Sequence, residues 1–218
     1  MGSDDFFKQR KGNKKKRKEE SKKLAPYRYL IVCEGTKTEP NYFQGIKKLI
    51  DQKYEDKVTV KGRKFDINIV GTGRNTEDLV KFTIEEIDRA KSLDELPYGN
   101  VWVVFDKDDF TDQQFNNAIA QAKKNEYRVA WSNEAIELWF LLHFEYLQSA
   151  IHRSQYIEKL NEYFGVFGLG KYEKNLENIY NILVEFGSLE KALANANRLR
   201  KLHGEMGMEV WLRIQKFL

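Results

Sequence analysis

Hydrophobic and polar positions along the first 131 residues alternate between two periods. Residues 29–33 form a short apolar, β-branched run, which is typical of a buried strand. Residues 42–50 then carry apolar side chains at helical spacing, behind a proline in the first turn of the predicted helix. The same order recurs, with strands predicted over 65–70, 101–105 and 126–131 and helices predicted over 76–87 and 111–124. Strands that alternate with helices at these lengths predict an α/β fold, a parallel sheet with helices on its faces.

The strand pattern fades after residue 131, and helical spacing replaces it. We expect Asn133 to cap a helix that runs from Glu134 to about Leu147. Further helices are predicted over 156–164, 176–186 and 189–199, with a loop around Gly165, Gly168 and Gly170. We therefore predict three parts: a basic, disordered arm over residues 1–25, an α/β core over 26–131, and a helical C-terminal extension over 132–218 that packs on the core.

The composition is that of a globular protein. Hydrophobic residues make up 41% of the 218 residues and charged residues 32%, which excludes a wholly disordered protein. A single cysteine, Cys33, excludes an intrachain disulfide framework and a thiolate zinc cluster. The sequence contains no apolar run that could span a bilayer, and charge rather than an apolar signal segment dominates its opening residues. We therefore expect a cytoplasmic protein with no membrane partner.

The net charge of +4 is distributed unevenly along the chain. Residues 1–23 hold ten Lys or Arg and four Asp or Glu, a balance of +6, so the remaining 27 basic and 29 acidic residues give −2. The run from Lys8 to Lys23 has no apolar side chain and is predicted to stay unfolded. Such an arm can attract phosphates or act as a nuclear address, or it can be a solvated tail.

Acidic residues follow the two most apolar strands. Glu34 comes directly after the first of these strands, and Asp106 and Asp108 come directly after the third strand of the chain. Parallel sheets bind ligands outside the carboxyl ends of their strands, where these side chains are expected to converge. Carboxylate oxygens suit a hard cation such as Mg²⁺ or Mn²⁺, with Glu34 available as a general base. Solvated turn residues are the alternative for either motif taken separately.

Four segments resemble the RloB-like proteins, a branch related to the Toprim domain of primases, topoisomerases and overcoming-lysogenization-type nucleases. They are YLIVCEGTKTEPNYF over residues 29–43, VWVVFDKDDF over 101–110, SNEAIELWFLLHFE over 132–145 and KYEK over 171–174. The final segment, GMEVWLRIQKFL, matches the family pattern less well. The resemblance implies a Toprim-like sheet in which Glu34 is the general acid/base and Asp106 and Asp108 bind metal. It also implies a role in bacterial defence against phage, often beside an ABC-like AAA ATPase.

Several further residues are candidates for supporting this site. Asp109 is a candidate metal ligand beside Asp108, and Glu39 a candidate supporting residue. Glu137, with apolar neighbours one turn away, is expected either to join the acidic cluster as a metal ligand or to act on the dipole of its helix. His143 is expected to be a hydrogen-bonded core residue, with a ligand or base as the alternative. Asn133 is explained as a cap, although its place in the family-like motif suggests that it orients a nearby acid.

Four cationic side chains are candidates for binding phosphate. They are Lys37, Arg74, Lys171 and Lys174, all in predicted loops. Loop lysines are ordinarily solvated, but a metal site that cleaves phosphodiesters needs cations nearby. The chain has no G-x-x-x-x-G-K-[ST] pattern, so ATP hydrolysis would belong to a partner ATPase.

These features lead to one principal functional hypothesis and two alternatives. The principal hypothesis is a Mg²⁺- or Mn²⁺-dependent nuclease acting in antiphage defence, on RNA rather than DNA, with transfer RNA among the candidate substrates. One alternative is a regulatory subunit that docks onto the partner ATPase and binds nucleic acid without cutting it. The other is a primase-like or ligand-binding Toprim relative. The preference for RNA comes from related defence effectors, because the residues carry no RNA-binding signature.

Overall fold

The computed structural model describes residues 25–54, 65–107, 111–149 and 151–203. Strands and helices alternate through the first half of the described chain, and helices alone follow. The strands are β1 (Ala25–Cys33), β2 (Asp66–Gly71), β3 (Tyr98–Lys107) and β4 (Arg128–Asn133). The helices are α1 (Thr38–Tyr54), α2 (Thr76–Ser92), α3 (Asp112–Lys124), α4 (Glu137–Leu141), α5 (Arg153–Val166), α6 (Ile179–Phe186) and α7 (Leu189–His203).

The four strands form one parallel sheet in the order β2-β1-β3-β4. Cys33 at the end of β1 lies opposite Val104 of β3, and Asp106 of β3 lies opposite Ser132 of β4. The predicted α/β fold with a parallel sheet is thereby confirmed, as is the mainly helical character of the C-terminal part.

Helices cover both faces of the sheet. Side chains alternate along β1, so that Ile31 and Cys33 enter one hydrophobic cluster while Leu30 and Val32 enter another. The first cluster also contains buried residues of α1 and of the C-terminal helices, whereas the second contains residues of α2 and α3. Burial on both faces explains why β1 is apolar without alternation in the sequence.

Side-chain caps define where α2 and α3 begin. Asn75 Oδ1 accepts a hydrogen bond from the Asp78 N–H at 3.0 Å, at the start of α2. Thr111 and Gln114 form a reciprocal capping box at the start of α3. These caps occupy N–H groups that have no partner within the helix, and they fix the residues at which α2 and α3 begin.

The predicted helix from Glu134 to Leu147 is wrong in its bounds, and Asn133 is not its cap. The ladder between β3 and β4 continues to Asn133, which lies opposite Lys107. The chain then turns through Glu134, whose φ of 64° is in the left-handed region. Helix α4 begins only at Glu137 and has no side-chain cap. Strand pairing therefore extends two residues further than the local pattern indicates, and the helix begins three residues later than predicted and already ends at Leu141.

Some predictions fall outside the described residues. The basic arm lies there except for Ala25, the first residue of β1, and the final segment of the chain lies there as well. Within the part of the chain that the structure describes, no helix combines the length and the apolar composition needed to cross a membrane.

Candidate functional site

Glu34 and Asp106 lie side by side where β1 and β3 end. The Glu34 N–H donates to the Val104 carbonyl at 2.8 Å, which continues the ladder by one residue. The Asp106 N–H donates to Glu34 Oε2 at 3.3 Å. β2 pairs with one side of β1, and β3 pairs with the other side. The strand order therefore reverses between β1 and β3. Open parallel sheets form their ligand crevice at such a point.

Two further carboxylates are buried near this pair. Glu39, in the first turn of α1, is 5% exposed and accepts a hydrogen bond from the Gly35 N–H at 3.3 Å. Glu137, in the first turn of α4, is 2% exposed. A Cβ atom on Gly35 would lie 2.1 Å from Glu39 Oε2, so a larger residue here would displace the Glu39 carboxylate from its present position. We call Glu34, Glu39, Asp106 and Glu137 the acidic edge.

Burial and repulsion between charges raise the pKa of two carboxyl groups of the acidic edge, Asp106 and Glu39. The pKa of Asp106 lies well above its ordinary value, first because of burial and then because of the nearby Glu39, Glu137 and Glu34 charges. Burial also raises the pKa of Glu39, against the hydrogen bond from the Gly35 N–H, and Glu137 raises it further. The folded protein therefore disfavours the ionised forms of Asp106 and Glu39, and a bound cation would offset that penalty.

The donors of the acidic edge suit a hard divalent cation, since all of them are carboxylate oxygens. Among the residues that the structure describes, no three His, Cys, Asp or Glu side chains are already arranged as a ligand group. Asp108 and Asp109, the other two predicted ligands, lie outside the described residues. The chemistry of the described donors fits Mg²⁺ or Mn²⁺, and a complete ligand set would require residues beyond them or a rotation of the acidic side chains.

The structure adds two hydroxyl groups that the sequence analysis did not include. The Ser132 hydroxyl donates to Asp106 Oδ1, and this bond opposes the rise in the pKa of Asp106. The Tyr172 hydroxyl donates to Glu137 Oε1 at 2.9 Å. Both residues belong to the family-like segments SNEAIELWFLLHFE and KYEK. Their position in these motifs is the feature of the sequence that could have identified them as site residues.

An irregular segment between α5 and α6 carries Tyr172 to the site. We call residues 167–178 the strap. The Thr38 hydroxyl donates to the Lys174 carbonyl at 2.8 Å, and the Asn41 amide donates to the Asn175 carbonyl at 3.0 Å. These bonds attach the strap to the N-terminal end of α1, beside Glu39.

The four predicted phosphate-binding cations lie in different surroundings. Lys174 is close enough to Glu39 to lower the pKa of that carboxyl, which places it beside the acidic edge. Lys37 and Lys171 are exposed, in the loop after Glu34 and in the strap. Arg74 is exposed beyond the end of β2, and its guanidinium lies 4.7 Å from the centre of the Phe82 ring. Of these four cations, Lys174 is the one whose charge acts on a carboxyl of the acidic edge, although its side chain is exposed.

His143 and Asn133 have surroundings unlike those of the acidic edge. His143 is 2% exposed, its Nδ1 lies 3.0 Å from the Trp139 carbonyl, and burial lowers its pKa to about 4. It packs edge-on against the Trp139 ring as a neutral core residue. Asn133 is exposed at the end of β4, next to Ser132 in sequence.

Comparison with known proteins identifies the family. Searches of curated proteins and of solved structures found no match. The model of the RloB-like protein family matches residues 29–215, which include the acidic edge, the end of β4 and the strap. Because this match covers most of the chain, the protein belongs to the RloB-like protein family.

Proposed function

We propose that this RloB-like protein is a metal-dependent nuclease that hydrolyses phosphodiester bonds. The observation that carries the proposal is the convergence of Glu34 and Asp106 at the ends of adjacent parallel strands, with Glu39 and Glu137 buried beside them. Such a concentration of carboxylates raises the pKa of Asp106 and costs folding free energy, which favours a functional over a structural origin.

The proposed roles are metal binding, proton transfer and phosphate binding, and Glu34 takes part in the first two. Asp106, Glu34 and Glu137 would hold Mg²⁺ or Mn²⁺, together with Asp108 and Asp109. A divalent ion bound there supplies stabilisation of negative charge on the scissile phosphate. Glu34, which is only partly buried, accepts a proton from the attacking water. Lys174, whose charge acts on Glu39, would orient the phosphate backbone together with Lys37, Arg74 and Lys171.

The proposed substrate is RNA rather than DNA, with transfer RNA among the candidates, and the proposed setting is bacterial antiphage defence with an ABC-like AAA ATPase as partner. The substrate, the biological setting and the partner go beyond family membership, and they are proposed by analogy with related defence effectors. Both polymers present the same phosphodiester group to the acidic edge, so that the substrate assay must include both.

The test is a cleavage assay with the purified chain, Mg²⁺ or Mn²⁺, and a panel of transfer RNA, single-stranded RNA and DNA. We expect wild type to cleave one class of substrate and the double variant Asp106→Asn/Asp108→Asn to cleave none. Asp51→Asn, an exposed aspartate of α1, is the matched control and should cleave like wild type. Cleavage that survives in the double variant would refute the assignment of these residues.

A second candidate function is a subunit that binds nucleic acid without cutting it and docks onto the partner ATPase. Its support is the exposure of apolar side chains on the C-terminal helices, where Val166 of α5 is 80% exposed and Val184 of α6 is 53% exposed. In the same assay this subunit would retard RNA or DNA on a gel with Mg²⁺ or Mn²⁺ and leave it intact.

A further inference from the structure

Tyr172 is a buried polar residue of the strap that contacts the acidic edge, although it is distant from the acidic residues in sequence. It is 5% exposed, and its hydroxyl lies 2.9 Å from Glu137 Oε1. Burial and the Glu137 charge both raise the pKa of this phenol far above its ordinary value. The Tyr172 hydroxyl donates this hydrogen bond, and the Glu137 carboxylate accepts it.

The position of the Tyr172 ring is determined by several independent contacts. The backbone N–H of Tyr172 donates to Asn161 Oδ1 of α5 at 2.8 Å. The ring centre lies 5.8 Å from that of Phe164 and 6.3 Å from that of Phe140. The bonds from Thr38 and Asn41 hold the following residues of the strap on α1. A donor held from this many directions can fix the orientation of the group that it bonds.

Glu137 is the group whose orientation matters for the acidic edge. Its charge raises the pKa of both Asp106 and Glu39, so it lies within electrostatic reach of both. The bond from Tyr172 engages one of the two carboxylate oxygens, Oε1. Without that bond, a buried carboxylate would lose a charge-assisted hydrogen bond and its side chain would be free to rotate.

We propose that Tyr172 is a positioning residue for divalent metal binding, acting by holding the Glu137 carboxylate in the orientation that the ion requires. This inference rests on the proposed function, since it assumes that the acidic edge binds Mg²⁺ or Mn²⁺. Partners of metal-binding carboxylates are known to change metal affinity by about 10- to 100-fold when they are removed. A tyrosine that only fills space would leave that affinity unchanged when its hydroxyl is removed.

The test measures Mn²⁺ affinity directly, from the electron paramagnetic resonance signal of free Mn²⁺ titrated with the full chain. The variants are Tyr172→Phe and, as a matched control, Tyr180→Phe, which removes the hydroxyl of another buried tyrosine, packed against Tyr42. Tyr172→Phe should weaken Mn²⁺ binding by about tenfold or more, whereas Tyr180→Phe should bind like wild type. Thermal unfolding without metal confirms that both variants are folded.

A double-variant cycle tests the route through Glu137. If Tyr172 acts by orienting Glu137, Tyr172→Phe should have little further effect on Mn²⁺ affinity in a Glu137→Gln background. Tyr172→Phe that binds Mn²⁺ within about twofold of wild type would overturn this inference and leave the metal site intact. Wild type that binds no Mn²⁺ would overturn both this inference and the proposed metal-dependent function.

Discussion

At the scale of single residues, the chain places Asp106 where its negative charge is costly. The Asp106 carboxyl is buried and lies near the charges of Glu39, Glu137 and Glu34, which raise its pKa. The hydrogen bond from the Ser132 hydroxyl offsets only part of this rise. The native state therefore binds a proton at Asp106 more tightly than the unfolded chain does. By linkage, the free energy of unfolding falls as pH rises from the ordinary aspartate pKa through the raised native one.

The first prediction concerns Asp106→Asn in the absence of metal. The substitution removes the unfavourable charge, and the new amide oxygen can still accept from Ser132. We expect the midpoint of thermal unfolding to rise by roughly 2–4 °C at about pH 8, equivalent to about 1 kcal/mol. The gain should shrink as the pH is lowered toward about 5, because lowering the pH toward the raised pKa of Asp106 begins to protonate this carboxyl in the folded wild type.

The measurement is thermal unfolding of both proteins in a chelator across that pH range. Asp51→Asn, at an exposed position of α1, serves as the control and should follow wild type at every pH. A variant less stable than wild type at about pH 8 would contradict the sign of the Asp106 shift.

At the scale of elements, the contact between α1 and α6 joins the α/β part of the chain to the C-terminal helices. Gly45 of α1 lies so close to α6 that an added Cβ would be 2.3 Å from Tyr180 Cβ. The Tyr42 and Tyr180 rings pack edge to face, with centres 5.5 Å apart. The glycine therefore allows the two helices to approach closely, and α1 carries Glu39 at its N-terminal end.

The second prediction compares two helical glycines. Gly45→Ala forces Tyr180 or the helix axes to move, and should lower the free energy of unfolding by about 1–3 kcal/mol. Gly165→Ala, near the end of α5, meets nothing within 4 Å and should be neutral or stabilising by about 0.5–1 kcal/mol. Urea unfolding of both variants checks this, and equal effects at the two positions would show that the α1 and α6 contact is not tight.

At the scale of the whole molecule, the acidic edge is assembled from segments far apart in sequence. β1 and β3 supply Glu34 and Asp106, α1 and α4 supply Glu39 and Glu137, and the strap supplies Tyr172. One hydrophobic cluster spans a face of the sheet, α1 and the C-terminal helices, so the elements that carry these residues share a core. An ion bound at the acidic edge would therefore stabilise the fold as a unit.

The third prediction follows from competition between protons and metal. Because the raised pKa of Asp106 and of Glu39 favours their protonated forms, Mg²⁺ or Mn²⁺ must displace protons to bind. We expect added Mn²⁺ to raise the unfolding temperature more at about pH 8 than at about pH 5.5. When the ion is at a hundred times its dissociation constant, the free energy of unfolding should increase by about 2.7 kcal/mol. Asp106→Asn should largely lose the effect. A metal-induced shift that is independent of pH, or that survives in Asp106→Asn, would place the ion elsewhere.

The sequence by itself determined the order of strands and helices through α3, and it placed Glu34 and Asp106 at strand ends, because local hydrophobic periodicity and caps such as Thr111 encode these features. Only the tertiary structure decided that β1 and β3 are neighbours and that β4 continues to Asn133, since strand order and register depend on pairing between distant segments. Glu137 had two open interpretations in the sequence, and its contact with Tyr172, 35 residues away, associates it with the acidic edge. The strap reaches that edge because α5 and α6 pack on the same face of the sheet as α1, and no local pattern records such a long-range contact.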